Sequence, residues 1–462
     1  MAARDRIIPM VVAIPLFLQN LDTSVMATAL PTIANALNVP VLRLNLAITS
    51  YLLSLAVFLP LSGWCAERFG ARRVFCGAIA FFSLGSALCG AANSLTSLVL
   101  FRVLQGLGGA MMVPVGRLIL LRSVPNARMV AAMVWFTVPP TIGRMAGPLF
   151  GGAIVTFVSW RWIFLINIPF GLLGIFLAFK FIPETHENAA PMPFDTLGFV
   201  LLAIGLTMLL SALELAGKAL APGWVTAAAA ALGVLTLGLY ALHGRRKVGP
   251  IIDLAILRYR AYRAAIVGGL PLRIAIGASP FLLPLLLQLG FGLSPLVSGA
   301  LTMATAIGSL ATRAVMVQSI RRVGFRSLLI GTTIAAALSR AAYGLFQPST
   351  SHVLIFGVLL LGGLVNSMGM VALQTLGFSK IPKPSMSHAT TLSSMAQQVS
   401  ITLGVVIGTE LVRATAWWHG DDSVGHLLAR DFPPAFVALG VMTLLSLFFF
   451  VPLDRDEGAE MR

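Results

Sequence analysis

Fourteen long apolar segments constrain this chain more than any other feature of its sequence. Each is close to the ~20 residues that an α-helix needs to cross a bilayer. Of the 462 residues, 58% are hydrophobic and only 10% are charged, which is too apolar for a water-soluble protein of this length. The sequence therefore predicts an all-α polytopic membrane protein. The segments begin near Ile7, Leu44, Val74, Ser97, Met129, Trp162, Thr196, Val225, Ala264, Pro295, Ser327, His352, Thr390 and Pro434.

The basic residues show how the chain is oriented. A net charge of +16 at first suggests a nucleic-acid partner. However, lysine and arginine collect in every second loop, as the positive-inside rule requires, so we expect no nucleic acid to bind. This asymmetry predicts an even number of membrane helices, with both termini in the cytoplasm. The outer loops hold only Arg43, Lys218, Arg413 and Arg430, with Arg161 at a boundary.

An internal repeat indicates two halves. The pattern Arg-x-Gly-x-Arg follows the second segment, at Arg68–Arg72, and returns after the tenth, at Arg322–Arg326. Parallel repeats of this kind are typical of alternating-access transporters. We therefore predict a six-helix bundle over residues 1–182 and a second one over 264–462. Residues 183–263 would supply a linker, two inserted membrane helices and a basic cytoplasmic segment.

Glycines in the fifth segment predict close helix packing. Gly143, Gly147 and Gly151 recur every four residues, so one helix face there carries no side chains. In membranes such a face lets a second helix approach closely. Pro148 lacks a backbone N–H and should bend the segment.

Charges inside the apolar segments are the main functional signal. Asp22 is the one acid well inside a segment, whereas six arginines are: Arg102, Arg117, Arg144, Arg273, Arg313 and Arg340. Each costs about 2.5 kcal/mol or more at mid-membrane and so requires a partner or a wet cavity. At ~1.5 Å of rise per residue, Asp22, Arg102 and Arg144 fall at similar depths. We predict that Asp22 alternates between pairing with an arginine and carrying a proton; the alternative is a static ion pair.

Four stretches, found in the expected order, resemble motifs of the major facilitator superfamily, in its fourteen-helix drug:proton antiporter branch. They are Leu21–Pro31, Gly63–Arg73, Arg102 with Gln105, Gly106, Gly108 and Gly109, and Gly143–Gly152. The resemblance implies two six-helix bundles plus two additional central helices, and proton-driven export of small molecules, as in multidrug efflux. Three positions depart from the family pattern: Glu67 replaces an aspartate, Ala71 replaces a commonly basic residue, and Arg144 occupies a site that is usually uncharged.

The resemblance also implies roles for individual residues. Asp22 and Arg102 would couple proton movement to transport. The cavity candidates are Gln19, Asn20, Gln105, Arg144, Arg273, Gln288 and Asn366, and the conformational-switch candidates are Gly63, Glu67, Arg68, Gly70, Arg72, Arg73, Gly143, Gly147, Pro148, Gly151 and Gly152. A cavity lined by Arg102, Arg144 and Arg273 would carry more positive than negative charge. That excess favours a second interpretation, in which the cargo is an anionic metabolite or a metal chelate with anionic ligands.

Other classes of function lack the residues they require. We find no nucleophile–base set, no metal-ligand cluster and no phosphate-binding glycine loop, so we expect neither an enzyme nor an ATP-driven pump. We predict no cofactor and no bound metal. The expected partners are the lipid bilayer, a small-molecule substrate and protons, and we expect a monomer.

Overall fold

The computed structural model describes residues 4–39, 41–184, 193–218, 222–419, 428–454 and 457–461, and these contain helices and turns but no strand. Two π-helical turns, Ala264–Gly268 and Leu286–Gly290, lie before and after the helix Leu270–Leu285. The α-helices are α1 (Arg4–Ala36), α2 (Val41–Phe58), α3 (Leu61–Phe69), α4 (Ala71–Gly90), α5 (Leu95–Ser123), α6 (Met129–Phe157), α7 (Trp162–Leu165), α8 (Asn167–Phe181), α9 (Thr196–Lys218), α10 (Gly223–Arg246), α11 (Arg260–Arg263), α12 (Leu270–Leu285), α13 (Pro295–Gly344), α14 (His352–Phe378), α15 (Met386–Trp418), α16 (Phe432–Leu444) and α17 (Leu447–Phe450).

The helices confirm the predicted fold class. Within the described ranges, eleven are long and apolar enough to cross a membrane, or twelve if α2 and α3, which are bent by 57°, form one span. The 50 residues of α13 would extend about 75 Å, more than twice the ~30 Å hydrocarbon core. Gly324 interrupts α13 with φ 76° and ψ 168°, which divides it into two spans. The joined α2 and α3, the divided α13 and the 29-residue α6 each add one span to the eleven. The structure is therefore compatible with the fourteen predicted spans.

The chain forms two compact units. The first contains Met1–Leu209, Ala231–Ile256 and Pro382–Met395, and the second contains Leu210–Ala230, Leu257–Ile381 and Ala396–Arg462. The predicted division at residues 182 and 263 stays a prediction. Its linker falls partly on residues 185–192 and 219–221, which lie outside the described part of the chain.

In the first unit, α1 packs along the glycine face of α6. A Cβ added to Gly143 would lie 2.6 Å from the carbonyl oxygen of Phe17, and one added to Gly151 would lie 3.0 Å from Val25. Gly147 lies in the same way against Ser24 of α1. The side chain of Pro148 lies outside the description.

The second unit has its own apolar core. Leucines from α12, α14 and α16, including Leu282, Leu359 and Leu439, surround the rings of Phe432 and Phe436, and all five residues are fully buried. The longest helix, α13, packs against α14 and α16. Because these helices pack together through their apolar side chains, the polar residues on the same helices are held in defined positions.

Candidate functional site

A buried ion pair joins α1 to α5 in the first unit. Arg102 Nη1 lies 2.6 Å from Asp22 Oδ2, and the two side chains are 1% and 0% exposed. The Arg102 guanidinium also lies over the rings of Tyr51, at 5.1 Å, and Phe164, at 5.2 Å. These aromatic faces stabilise the cation away from water.

Two amides complete the shell of Asp22. Gln105 Nε2 and Asn167 Nδ2 each donate to Asp22 Oδ1 at 3.1 Å. Gln105 Oε1 in turn accepts from Arg102 Nη1 at 2.7 Å. Three side chains therefore donate hydrogen bonds to the Asp22 carboxyl group, one to Oδ2 and two to Oδ1.

Local sequence explains how α5 presents these groups. Arg102 and Gln105 are three residues apart and so share one helix face. A Cβ on Gly106 would lie 2.6 Å from Ser54 Cβ, and one on Gly109 would lie 3.0 Å from Tyr51 Oη. Glycine at these positions therefore lets α2 approach and bring the Tyr51 ring against Arg102.

Arg144 lies beside this network and bonds to a different residue of α1. Its Nη2 donates to Asn20 Oδ1 at 2.8 Å, and its side chain is exposed. Asn20 Nδ2 donates to the Leu16 carbonyl oxygen at 2.9 Å. Nearby, Gln19 Nε2 donates to the Gly109 carbonyl oxygen at 3.1 Å, while its buried Oε1 has no hydrogen-bond partner within the described ranges.

The remaining cavity candidates belong to the second unit. Arg273 on α12 is 2% exposed, and its Nε and Nη1 have no hydrogen-bond partner among the described residues. Gln288 Nε2 donates to Ser298 Oγ at 3.4 Å. Asn366 Oδ1 accepts from Arg340 Nη2 at 3.2 Å. Among the cavity candidates, Arg273 is therefore a buried cation whose guanidinium has few hydrogen bonds to described residues to offset the loss of water.

The switch candidates in the stretch Gly63–Arg73 lie around the turn between α3 and α4. Gly70 has φ 87°, a conformation that favours glycine and lets the chain reverse there. Arg72 Nη2 and Arg73 Nε each lie 2.6 Å from a carboxylate oxygen of Glu184, just beyond α8. Arg68 is exposed at the end of α3.

The same loop also contacts the start of α15 within the first unit. Glu67 accepts a hydrogen bond from the Ser387 hydroxyl, and a Cβ on Gly63 would lie 3.0 Å from Thr391 Oγ1. The last switch candidate differs from the other glycines of α6. Among the described residues, no heavy atom lies within 4 Å of a Cβ placed on Gly152.

Comparison with known proteins decides the family. The sequence pattern of the Major Facilitator Superfamily matches residues 12–405. The chain belongs to the major facilitator superfamily. This confirms the resemblance noted from the sequence motifs, and it makes the protein a multi-pass membrane transporter of this superfamily.

Curated bacterial relatives of this superfamily member cover nearly the whole chain. “Putative multidrug resistance protein MdtD” of Salmonella heidelberg (strain SL476) is 37% identical over 454 residues, which are 98% of this chain and 95% of the relative. The protein of the same name from Salmonella typhimurium (strain LT2) is 36% identical over 457 residues, with the same coverage.

Two solved structures share the fold of this superfamily member. The human organic anion transporter MFSD10 superposes with a TM-score of 0.68 at 16% identity, over 96% of this chain and 99% of its own. The proton:xylose symporter XylE gives 0.65 at 15% identity, over 99% of this chain and 97% of its own.

Sequence reasoning missed two contributors to the network. Neither Asn167 nor Tyr51 is among the candidates predicted from the sequence. The signal for Asn167 was an amide in an otherwise apolar segment, a position that normally requires a hydrogen-bond partner. Nothing in the sequence showed that the partner would be Asp22.

Proposed function

We propose that this chain is a proton-coupled exporter of chemically diverse drugs in the bacterial inner membrane, and not an enzyme. The observation that carries the proposal is the buried Asp22–Arg102 pair inside a superfamily transporter, with full-length relatives named for multidrug resistance. A titratable carboxylate in such a position can exchange a proton as the protein changes conformation.

The coupling follows from the electrostatics of the pair. Protonation of Asp22 would remove the negative charge that compensates Arg102, and an uncompensated buried cation is strongly destabilised. Proton binding therefore favours rearrangement of α1 against α5. Release of the proton restores the pair and returns the protein to the conformation described here.

Two further features would turn this local change into alternating access. The inner loop Gly63–Arg73 would stabilise one state through its contacts with Glu184 and Ser387. The close packing of α1 on the glycine face of α6 would seal the outer side in the same state. We also propose that both termini are cytoplasmic, that residues 1–182 and 264–462 form the two six-helix bundles, and that α9 and α10 are inserted between them in the chain.

Ethidium uptake driven by a pH gradient into inverted membrane vesicles tests the proposal. Asp22→Asn keeps the size of the side chain and removes its titratable charge, so we expect gradient-driven uptake to fall at least tenfold. Asp454→Asn, which removes an exposed carboxylate, is the matched control and should retain uptake. Gradient-driven uptake that survives in Asp22→Asn would show a static ion pair and contradict the proposal.

Arg273 favours a second candidate function, the export of organic anions or anionic metal chelates. A buried guanidinium with two unbonded nitrogens is well suited to accept a carboxylate. In proteoliposomes, this candidate predicts transport of small organic carboxylates over tetraphenylphosphonium. It also predicts that Arg273→Gln loses the carboxylate transport, while Arg413→Gln, at an exposed arginine, retains it.

A further inference from the structure

We propose that Asn167 is a positioning residue that orients the Asp22 carboxyl group by a hydrogen bond from α8, so that the position of α8 controls when Asp22 takes up a proton. The inference rests on the proposed proton-coupled function and names a residue and a helix that the coupling scheme did not include.

The amide of Asn167 bridges two helices through one nitrogen. Asn167 is 1% exposed, and its Nδ2 donates to Asp22 Oδ1 at 3.1 Å and to Ser86 Oγ at 2.9 Å. Ser86 lies on α4 and donates its own hydroxyl hydrogen to the Phe164 carbonyl oxygen at 2.9 Å. Both Nδ2 hydrogens are thus used, one on the carboxylate and one on α4.

The donors to Asp22 come from two helices. Arg102 and Gln105 both lie on α5 and are bonded to each other, so they move together. Asn167 is the first residue of α8, directly after Ile166, which separates α8 from α7. A shift of α8 relative to α1 would remove the Asn167 hydrogen bond and leave both α5 donors in place. Such a shift changes the proton affinity of Asp22 without breaking the ion pair.

Asn167 is a neutral donor in a site with several titratable or charged neighbours. Arg102 on α5 pairs with Asp22, and the Tyr51 hydroxyl on α2 interacts electrostatically with both. The Cys89 thiol on α4 lies 3.9 Å from Gln105 Oε1, and Arg144 on α6 bonds to Asn20, two residues before Asp22. None of these groups is changed when Asn167 is replaced, so a change in Asp22 titration can be assigned to the lost hydrogen bond.

Infrared titration of the purified full-length protein measures this effect without requiring transport. The carboxylic-acid band of Asp22 is identified as the band that Asp22→Asn lacks, and its intensity is followed against pH. Asn167→Leu has nearly the same volume and no donor. Because this variant lacks one donor to the Asp22 carboxyl group, the pH of half-protonation should rise by about one unit.

Ser86→Ala is the matched control, because it removes the α4 partner and leaves the Asn167–Asp22 bond. If Asn167 only ties α8 to α4, Ser86→Ala and Asn167→Leu will lower the melting temperature alike and leave the titration unchanged, and the proposal is wrong. Asn167→Ser, which keeps a shorter donor, covers the case in which Asn167→Leu does not fold; we expect an intermediate titration shift. Asn167→Leu could shift the titration while Asp22→Asn still takes up ethidium in response to the gradient. That pair of results would contradict the proposed function but support the role of Asn167.

Discussion

At the scale of single residues, the structure shows how one carboxylate and one guanidinium are accommodated inside an apolar bundle. Asp22 receives hydrogen bonds from Arg102, Gln105 and Asn167, and Arg102 is covered by aromatic rings. The Asp22 carboxyl group and Arg102 Nη1 are thus compensated by hydrogen bonds. Arg273, in contrast, is buried with two nitrogens, Nε and Nη1, that have no hydrogen-bond partner in the described part of the chain, so a bound anion could stabilise it.

A second carboxylate holds the start of α9. Asp195 accepts hydrogen bonds from the backbone N–H of Gly198 at 3.0 Å and of Ile251 at 3.3 Å, and its Oδ1 lies 2.9 Å from His243 Nε2. Burial alone would raise the pKa of Asp195, but these bonds outweigh it and lower that pKa below its usual range. Asp195 therefore fastens the ends of the inserted helix pair α9 and α10.

The lowered pKa predicts how stability depends on pH. The ionised Asp195 stabilises the folded protein at pH values above the usual carboxyl range, and this contribution is lost as the pH falls through the lowered pKa. We expect Asp195→Asn to reduce the melting temperature at pH 7, with a difference from wild type that shrinks below about pH 4. Thermal unfolding in detergent across this range measures it, and Asp454→Asn, at an exposed carboxylate, should show no such difference. An Asp195→Asn deficit that is equal at every pH would contradict the interpretation.

At the scale of elements, the glycine pattern of α6 determines how close α1 approaches. The four-residue spacing predicted an open helix face, and the structure places α1 on it, with Phe17, Ser24 and Val25 opposite the glycines. A sequence pattern of this kind identifies the glycine face but not the helix that packs on it, because any helix with small side chains on one face could pack there.

Substitution of these glycines tests the packing. A Cβ on Gly143 would lie 2.6 Å from a backbone oxygen, which cannot move without displacing α1, so Gly143→Ala should destabilise the protein by about 1–3 kcal/mol. Gly152→Ala is the matched control on the same helix, since its Cβ would meet no atom within 4 Å. Melting temperatures of both variants in detergent measure the difference. Equal stability of the two variants would show that α1 does not pack on this face.

At the scale of the whole molecule, the number of spans depends on the interruption in α13. The helix runs for 50 residues, and Gly324 with its positive φ stands in the second Arg-x-Gly-x-Arg pattern. Gly70, in the first such pattern, also has a positive φ, at the turn between α3 and α4. The same sequence pattern thus forms a backbone reversal or interruption in both halves of the chain.

The predicted topology is tested by cysteine labelling from outside intact cells. If α13 crosses twice, Ser294→Cys and Gln347→Cys, at its two ends, should both react with a membrane-impermeant maleimide, whereas Arg322→Cys should not. The native Cys65, Cys76 and Cys89 are buried and free, so they should contribute little background. If only one of Ser294→Cys and Gln347→Cys reacted from outside, α13 would cross the membrane once. The proposed orientation of the C-terminal half would then be reversed.

The sequence by itself determined the class of protein and the approximate positions of the helices, because segment length and apolarity are properties of the chain alone. Its four motifs, in the expected order, indicated the family. It also indicated that Asp22 and Arg102 needed partners, because an isolated charge is costly in a membrane. Only the tertiary structure decided which residues those partners are. Asn167 on α8, Tyr51 on α2 and Asn20 opposite Arg144 are brought to the site by helix packing, and packing depends on contacts between distant segments that no local pattern specifies.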